Sequence, residues 1–280
     1  MRISRRGTLA LCALFSTGAQ AQWLNFPTPG TPRTGEGRPN LAAPAPRMLD
    51  GKPDLSGVWH VHPTPVAEMK QLYGERFDDT SLIGMERDKI SKYAINLLAD
   101  FKPEESPIRP EALKVMRERT QGLPSETCQP LGIPLSGMLS TPIKIVHSSR
   151  LIAVLFEAED KYRQIYTDGR SLPNEFDLPA WLGYSVGKWE GDTLVVNTAG
   201  FNDKSWLDLM GHPHSEALHI AERFRRRDFG HMDVDMTLDD PHMYTKPISI
   251  KLSYELWADS DIFEFICSEN EKDHAHAINK

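Results

Sequence analysis

The stretch GHPHSEALHIAERFRRR, residues 211–227, gathers three histidines, two glutamates and four arginines. Strand alternation across it puts Leu218, Ile220, Glu222 and Phe224 on an apolar face and His219, Arg223 and Arg225 on the other. A carboxylate sent inward must find a donor or have its pKa raised by desolvation, which brings it into the range of a general acid or base. Glu222 is therefore the first catalytic candidate, and a buried tie to backbone amides or to an arginine is its structural alternative. The outer cations have a simpler reading, in which Arg223 and Arg225 face Asp233 and Asp235 across a hairpin.

Two histidines qualify as proton-exchanging partners. His214 lies in a loop just ahead of the strand, and His147 shares parity with Ile143 and Ile145 at a strand end, where a core histidine is the alternative. Arg163, Tyr166 and Tyr184 are candidates to orient a substrate, and Trp189 to wall its pocket. The loop FNDKSWLDLMGHPHS, residues 201–215, carries Asp203, Trp206, Asp208 and Ser215 and is the foremost substrate-facing element. The pairs His60 with His62 and His212 with His214 offer a transition-metal alternative, but a third pair, His274 with His276, shows how cheaply this spacing arises here.

These side chains need a scaffold, and from Ile143 onward the hydrophobic period is two. Strands are expected at 143–148, 151–157, 161–167, 182–189, 193–198, 216–225, 231–238, 247–256 and 261–267, after a first strand at 57–62. Short connections such as WEGD and RRDFG make neighbours antiparallel. The expected fold is mainly β, an antiparallel up-and-down barrel of roughly eight to ten strands, because closure removes exposed edges. Two helices, 86–101 and 110–121, form an N-terminal insertion within about 65–122. One domain over 50–271 follows a proline-rich extended tether at 22–49, with a polar tail at 272–280.

The leader reads as a secretory signal peptide: Arg2, Arg5 and Arg6, an apolar run over 9–15, and a small-x-small site ending at Ala21. That run is far shorter than the roughly 20 residues a bilayer span needs. Export to the periplasm or beyond is the expectation. Removing 1–21 takes three arginines from the 32 basic residues and leaves the 39 acidic ones, a formal charge of about −10 that argues against nucleic acid as a partner. Cys128 and Cys267 remain and read as one disulfide closing a loop of about 140 residues, with two unpaired thiols as the alternative. The absence of GxGxxG, CxxC and CxxCH removes the usual marks of nucleotide cofactors and c-type haem.

The blocks DGKPDLSGVW, KYRQIYTDGR, GYSVGKWEGDTLVVNTAGFND, GHPHSEALHIAERFRRRDFGHM and ICSEN, with the cysteine of CQPLGIP, resemble a large family of secreted bacterial proteins. The resemblance spans most of 50–271. It implies export, both cysteines and a lipocalin-type (calycin-like) barrel, and it carries no substrate. The residues point first to an acid–base enzyme without organic cofactor, of lyase, isomerase, cyclase or hydratase type, acting on a small apolar or ring-bearing molecule; the alternatives are a periplasmic small-molecule binder and a histidine-ligated metal-dependent hydrolase or oxygenase.

Overall fold

The computed structural model describes residues 27–74, 90–119, 128–158 and 161–264. The expected signal peptide, the polar tail and Cys267 lie outside them. Nine strands close into one barrel in chain order: β1 (Gly57–Val61), β2 (Ile143–His147), β3 (Leu151–Phe156), β4 (Lys161–Tyr166), β5 (Tyr184–Glu190), β6 (Thr193–Ala199), β7 (His219–Arg226), β8 (His231–Asp239) and β9 (Ile248–Leu256). β9 returns to β1, with Val61 opposite Tyr254. The alternation read from the sequence is the alternation of the barrel: Ile248, Ile250, Leu252, Tyr254 and Leu256 of β9, and Met232, Val234, Met236 and Leu238 of β8, are all buried.

One seam departs from the expected all-antiparallel meander. β4 and β5 run parallel and share only two register pairs, Ile165 with Ser185 and Tyr166 with Val186. A parallel neighbour needs a long return path, and the connection over 167–183 supplies it. The seam is tight, since a Cβ on Gly187 would stand 3.0 Å from the Ile165 side chain. β7 also starts later than 216, because Ser215 and Leu218 form a turn fixed by Asp240, whose carboxylate accepts from the Ser215 amide at 2.5 Å. Residues 261–264 are not a strand, and 265–267 fall outside the described residues.

Among the described residues, three short α-helices lie between β1 and β2 in the chain: α1 (Val66–Tyr73), α2 (Lys92–Ile95) and α3 (Pro110–Glu118). The helix expected over 86–101 is reduced to the single turn α2 within its described part. Its apolar spacing is real, with Ile90, Ala94, Leu97 and Leu98 buried, but the Leu97 amide donates to the Asp208 carboxylate instead of continuing the helix. The proline-rich segment is likewise more than a tether. Phe229 and Gly230 donate their amides to the carbonyls of Ala43 and Leu41, Arg33 pairs with Asp259, and Arg47 pairs with Asp192, so 27–49 lies along the barrel wall.

At the barrel end where β1 begins, the Arg226 guanidinium donates to the carbonyls of Asp54, Ser56, Asp228 and Phe229 and lies 4.8 Å from the Trp59 ring. Among the described residues, inward side chains of the strands and the segment 131–139 pack into the interior. A cavity of about 30 Å³ remains beside Arg163, Glu222 and Tyr254, room for about one water.

Candidate functional site

The returning 167–183 connection builds a site on the outer wall. Asp168 and Gly169 turn the chain after β4, and Arg170 doubles back to grip Asp168, Nε to Oδ1 at 2.9 Å and Nη2 to Oδ2 at 2.6 Å. Its guanidinium lies 3.8 Å from the centre of the Tyr166 ring and donates to the Tyr184 hydroxyl at 2.8 Å. Tyr166 and Tyr184 stack on each other, centroids 5.2 Å apart and planes 26° apart. The bonds from Arg170 hold the Asp168 carboxyl down at about 2, so the pair stays ionised. Beside this stack runs a groove of about 600 Å³, walled by Arg170 and Leu172 and floored by Lys188, Trp189, Asn197 and His219. Two aromatic residues singled out in the sequence, Tyr166 and Tyr184, therefore meet around an arginine that sequence reasoning passed over, while Trp189 lines the groove and stacks on His147. The available signal was a charged Asp-Gly-Arg turn following a strand that ends in tyrosine.

The barrel interior holds Glu222, with a different partner from the one expected. Both of its oxygens accept from Arg163, Oε1 at 3.0 Å from Nη1 and Oε2 from Nη2. Arg163 also donates from Nε to Ser185 at 2.9 Å and from Nη2 to Thr198 at 2.7 Å. Glu222 and Arg163 are 2 % and 5 % exposed. The structural alternative, a carboxylate tied to an arginine, describes what is found. Arg163 spends its donors on Glu222, Ser185 and Thr198, and no histidine bonds Glu222 among the described residues.

At the opposite end from Arg226, the 201–217 loop carries a second buried polar cluster. His214 donates from Nδ1 to the Ser215 carbonyl at 3.1 Å, since a carbonyl only accepts. That leaves Nε2 unprotonated to accept from the Ser205 hydroxyl at 2.7 Å. Asp208 accepts from the His212 ring and from the amides of His212 and Leu97. Ser215 is bound to Asp240, and Arg119 lies 5.7 Å from the Trp206 ring and donates to the Asp203 and Ser205 carbonyls. Asp203 itself is exposed. Ser205, 0 % exposed, had no sequence signal beyond its place in the loop.

Burial pushes His214 below its usual value of 6.5. As pH falls through that value the unfolded chain takes up a proton and the folded one does not, so stability present above about 6.5 declines toward the lower folded value. Thermal unfolding between about pH 7.5 and 5 is expected to show a falling midpoint, with a shallower slope in His214→Gln. An identical slope in the variant would remove His214 as the cause.

His147 sits at the Arg226 end. Its Nδ1 is 3.3 Å from the Leu55 amide and 3.6 Å from Asp54, and its ring stacks on Trp189 at 5.8 Å. Although burial pushes the Asp54 carboxyl up, bonds from His147 and Ser56 hold it at about 2. The sequence-level metal set is dispersed: His60 faces Glu255 on the barrel wall, His62 is exposed, and His212 and His214 are engaged separately in the loop. Among the described residues no three His, Cys, Asp or Glu side chains form a group that could hold a metal ion, and no helix is long and apolar enough to cross a membrane. Of the expected outer pairs, Arg225 meets Asp233 at 2.9 Å, while Arg223 turns to Glu190 at 3.1 Å. Comparison with protein-family models and with curated proteins found no match for this chain.

Proposed function

We propose that the chain is an exported small-molecule-binding barrel that holds its ligand in the outer groove between the 167–172 turn and β5–β7. The observation that carries this reading is the stacking of Tyr166 and Tyr184 at Arg170 beside a groove of about 600 Å³ that Arg170 and Trp189 both line, a volume within the range of small-molecule sites. The cavity beside Arg163, Glu222 and Tyr254 supports it, because its space of about 30 Å³ is too small for such a ligand. The same reading takes the barrel as calycin-like, the helices before β2 as an insertion, and Cys128 with Cys267 as its disulfide. It calls for no organic cofactor. Native mass spectrometry of mature protein from a periplasm is expected to find a copurified small molecule. Arg170→Ala and Trp189→Ala should each weaken its retention about tenfold, roughly 1.4 kcal/mol; Arg170→Ala is expected to leave the melting temperature little changed, whereas Trp189→Ala removes a ring packed on His147 and the core and is expected to lower it. Retention equal in all three proteins would end the groove reading.

One observation favours acid–base catalysis as a second reading. The Ser205 hydroxyl points at a histidine nitrogen free to take its proton, the relation an activated nucleophile requires. On that reading Ser205→Ala abolishes turnover while ligand binding in the groove persists.

A further inference from the structure

The groove is lined by basic and not by acidic side chains. Its lining holds Arg170, Lys188 and His219 and no carboxylate, in a chain with 39 acidic residues against 32 basic. Of the nearest carboxylates, Asp168 lies in the grip of Arg170, Glu190 is paired with Arg223, and Asp239 stands opposite His219 on the same face of β8. These side chains are spread along the groove. Lys188 pairs with Val195, and Ile220, next to His219, pairs with Thr198. Three to four residues of β6 therefore separate Lys188 from His219 along the strands, roughly 10–13 Å, and the step from β5 to β7 adds roughly 9–10 Å across them. Asn197 stands between them with its amide on the outer face, and Trp189 and Leu172 supply the apolar surface.

We propose that the ligand is a hydroxylated, ring-bearing organic carboxylate, a sugar acid of one or two rings. Its carboxylate is drawn by Lys188 and by the outer edge of Arg170. Its hydroxyls meet Asn197, and a ring face lies on the apolar patch. This inference rests on the groove being the ligand site.

The test titrates full-length mature protein with digalacturonate, its dimethyl ester and cellobiose, read by calorimetry and by tryptophan fluorescence. The acid is expected to bind at least about tenfold more tightly than the ester or cellobiose, with the preference shrinking at high salt as screening requires. Lys188→Ala should bring the acid-to-ester ratio close to one. Equal binding of all three ligands, lost together in Trp189→Ala, would overturn the carboxylate class and leave the groove intact. Failure of all three to bind would overturn the class as well, and the copurification experiment then decides whether the groove falls with it. An acid preference that survives both Lys188→Ala and Arg170→Ala would place the anion site elsewhere and overturn the assignment.

Discussion

Glu222→Gln is expected to cost the fold about 3–5 kcal/mol, the usual penalty for leaving one member of a buried ion pair without its counter-charge. The glutamine side chain keeps the volume of the glutamate and one acceptor oxygen, so cavity formation contributes little. What is lost is the charge facing Arg163, which is 5 % exposed and has no other carboxylate partner among its hydrogen bonds. Urea unfolding measures the loss directly. The paired change Arg163→Met with Glu222→Leu is expected to recover much of it, because an apolar pair of similar volume needs no solvation. A Glu222→Gln protein as stable as the wild type would show that the pair is not the tie described here. The result also separates structure from chemistry. If Glu222 acts only on the fold, the surviving folded fraction of the variant binds ligand as tightly as the wild type.

That pair illustrates what alternation can and cannot reveal. The period of two told which face Glu222 occupies, and it did the same for Ile248, Met232 and their strand neighbours, because every second residue of a half-buried strand must be apolar. It is silent about which distant strand supplies the counter-charge. Arg163 is on β4 and Glu222 on β7, and only barrel closure brings them together. The parallel β4–β5 seam was illegible for a related reason. The connection over 167–183 lacks helical period and reads as a loop of any direction. α2 failed in the opposite way, since apolar residues at helical spacing are needed to bury Leu97 and Leu98 whether or not the backbone stays helical. Ser205 and Arg170 carry no periodic signal at all. Their roles come from loops, where a residue's partners are set by the fold and not by its neighbours in sequence.

Asp208→Ala is expected to loosen two segments at once, at a cost of about 3 kcal/mol or more. The carboxylate is fully buried and receives the Leu97 amide at 2.6 Å, the His212 amide at 3.1 Å and the His212 ring. Removing it strands three buried donors, each of which loses its partner without gaining water. The effect should not stay within the 201–217 loop. Leu209 and Met210 donate their amides to the carbonyls of Ala94 and Ile95, so Asp208 holds the α2 segment and the loop as one unit. Hydrogen exchange is expected to accelerate together in 92–98 and 205–214, while β8 and β9 stay protected below the global unfolding limit. Asp208→Asn offers the control, since one acceptor oxygen remains but its amide group faces donors, and it should fall between wild type and Asp208→Ala. If exchange rises only in 205–214, the two segments are independent and Asp208 is a cap for its own turn. If both segments loosen while the outer groove keeps its ligand, the polar cluster of the loop is a structural anchor, and Ser205 and His214 belong to that anchor and not to a reaction.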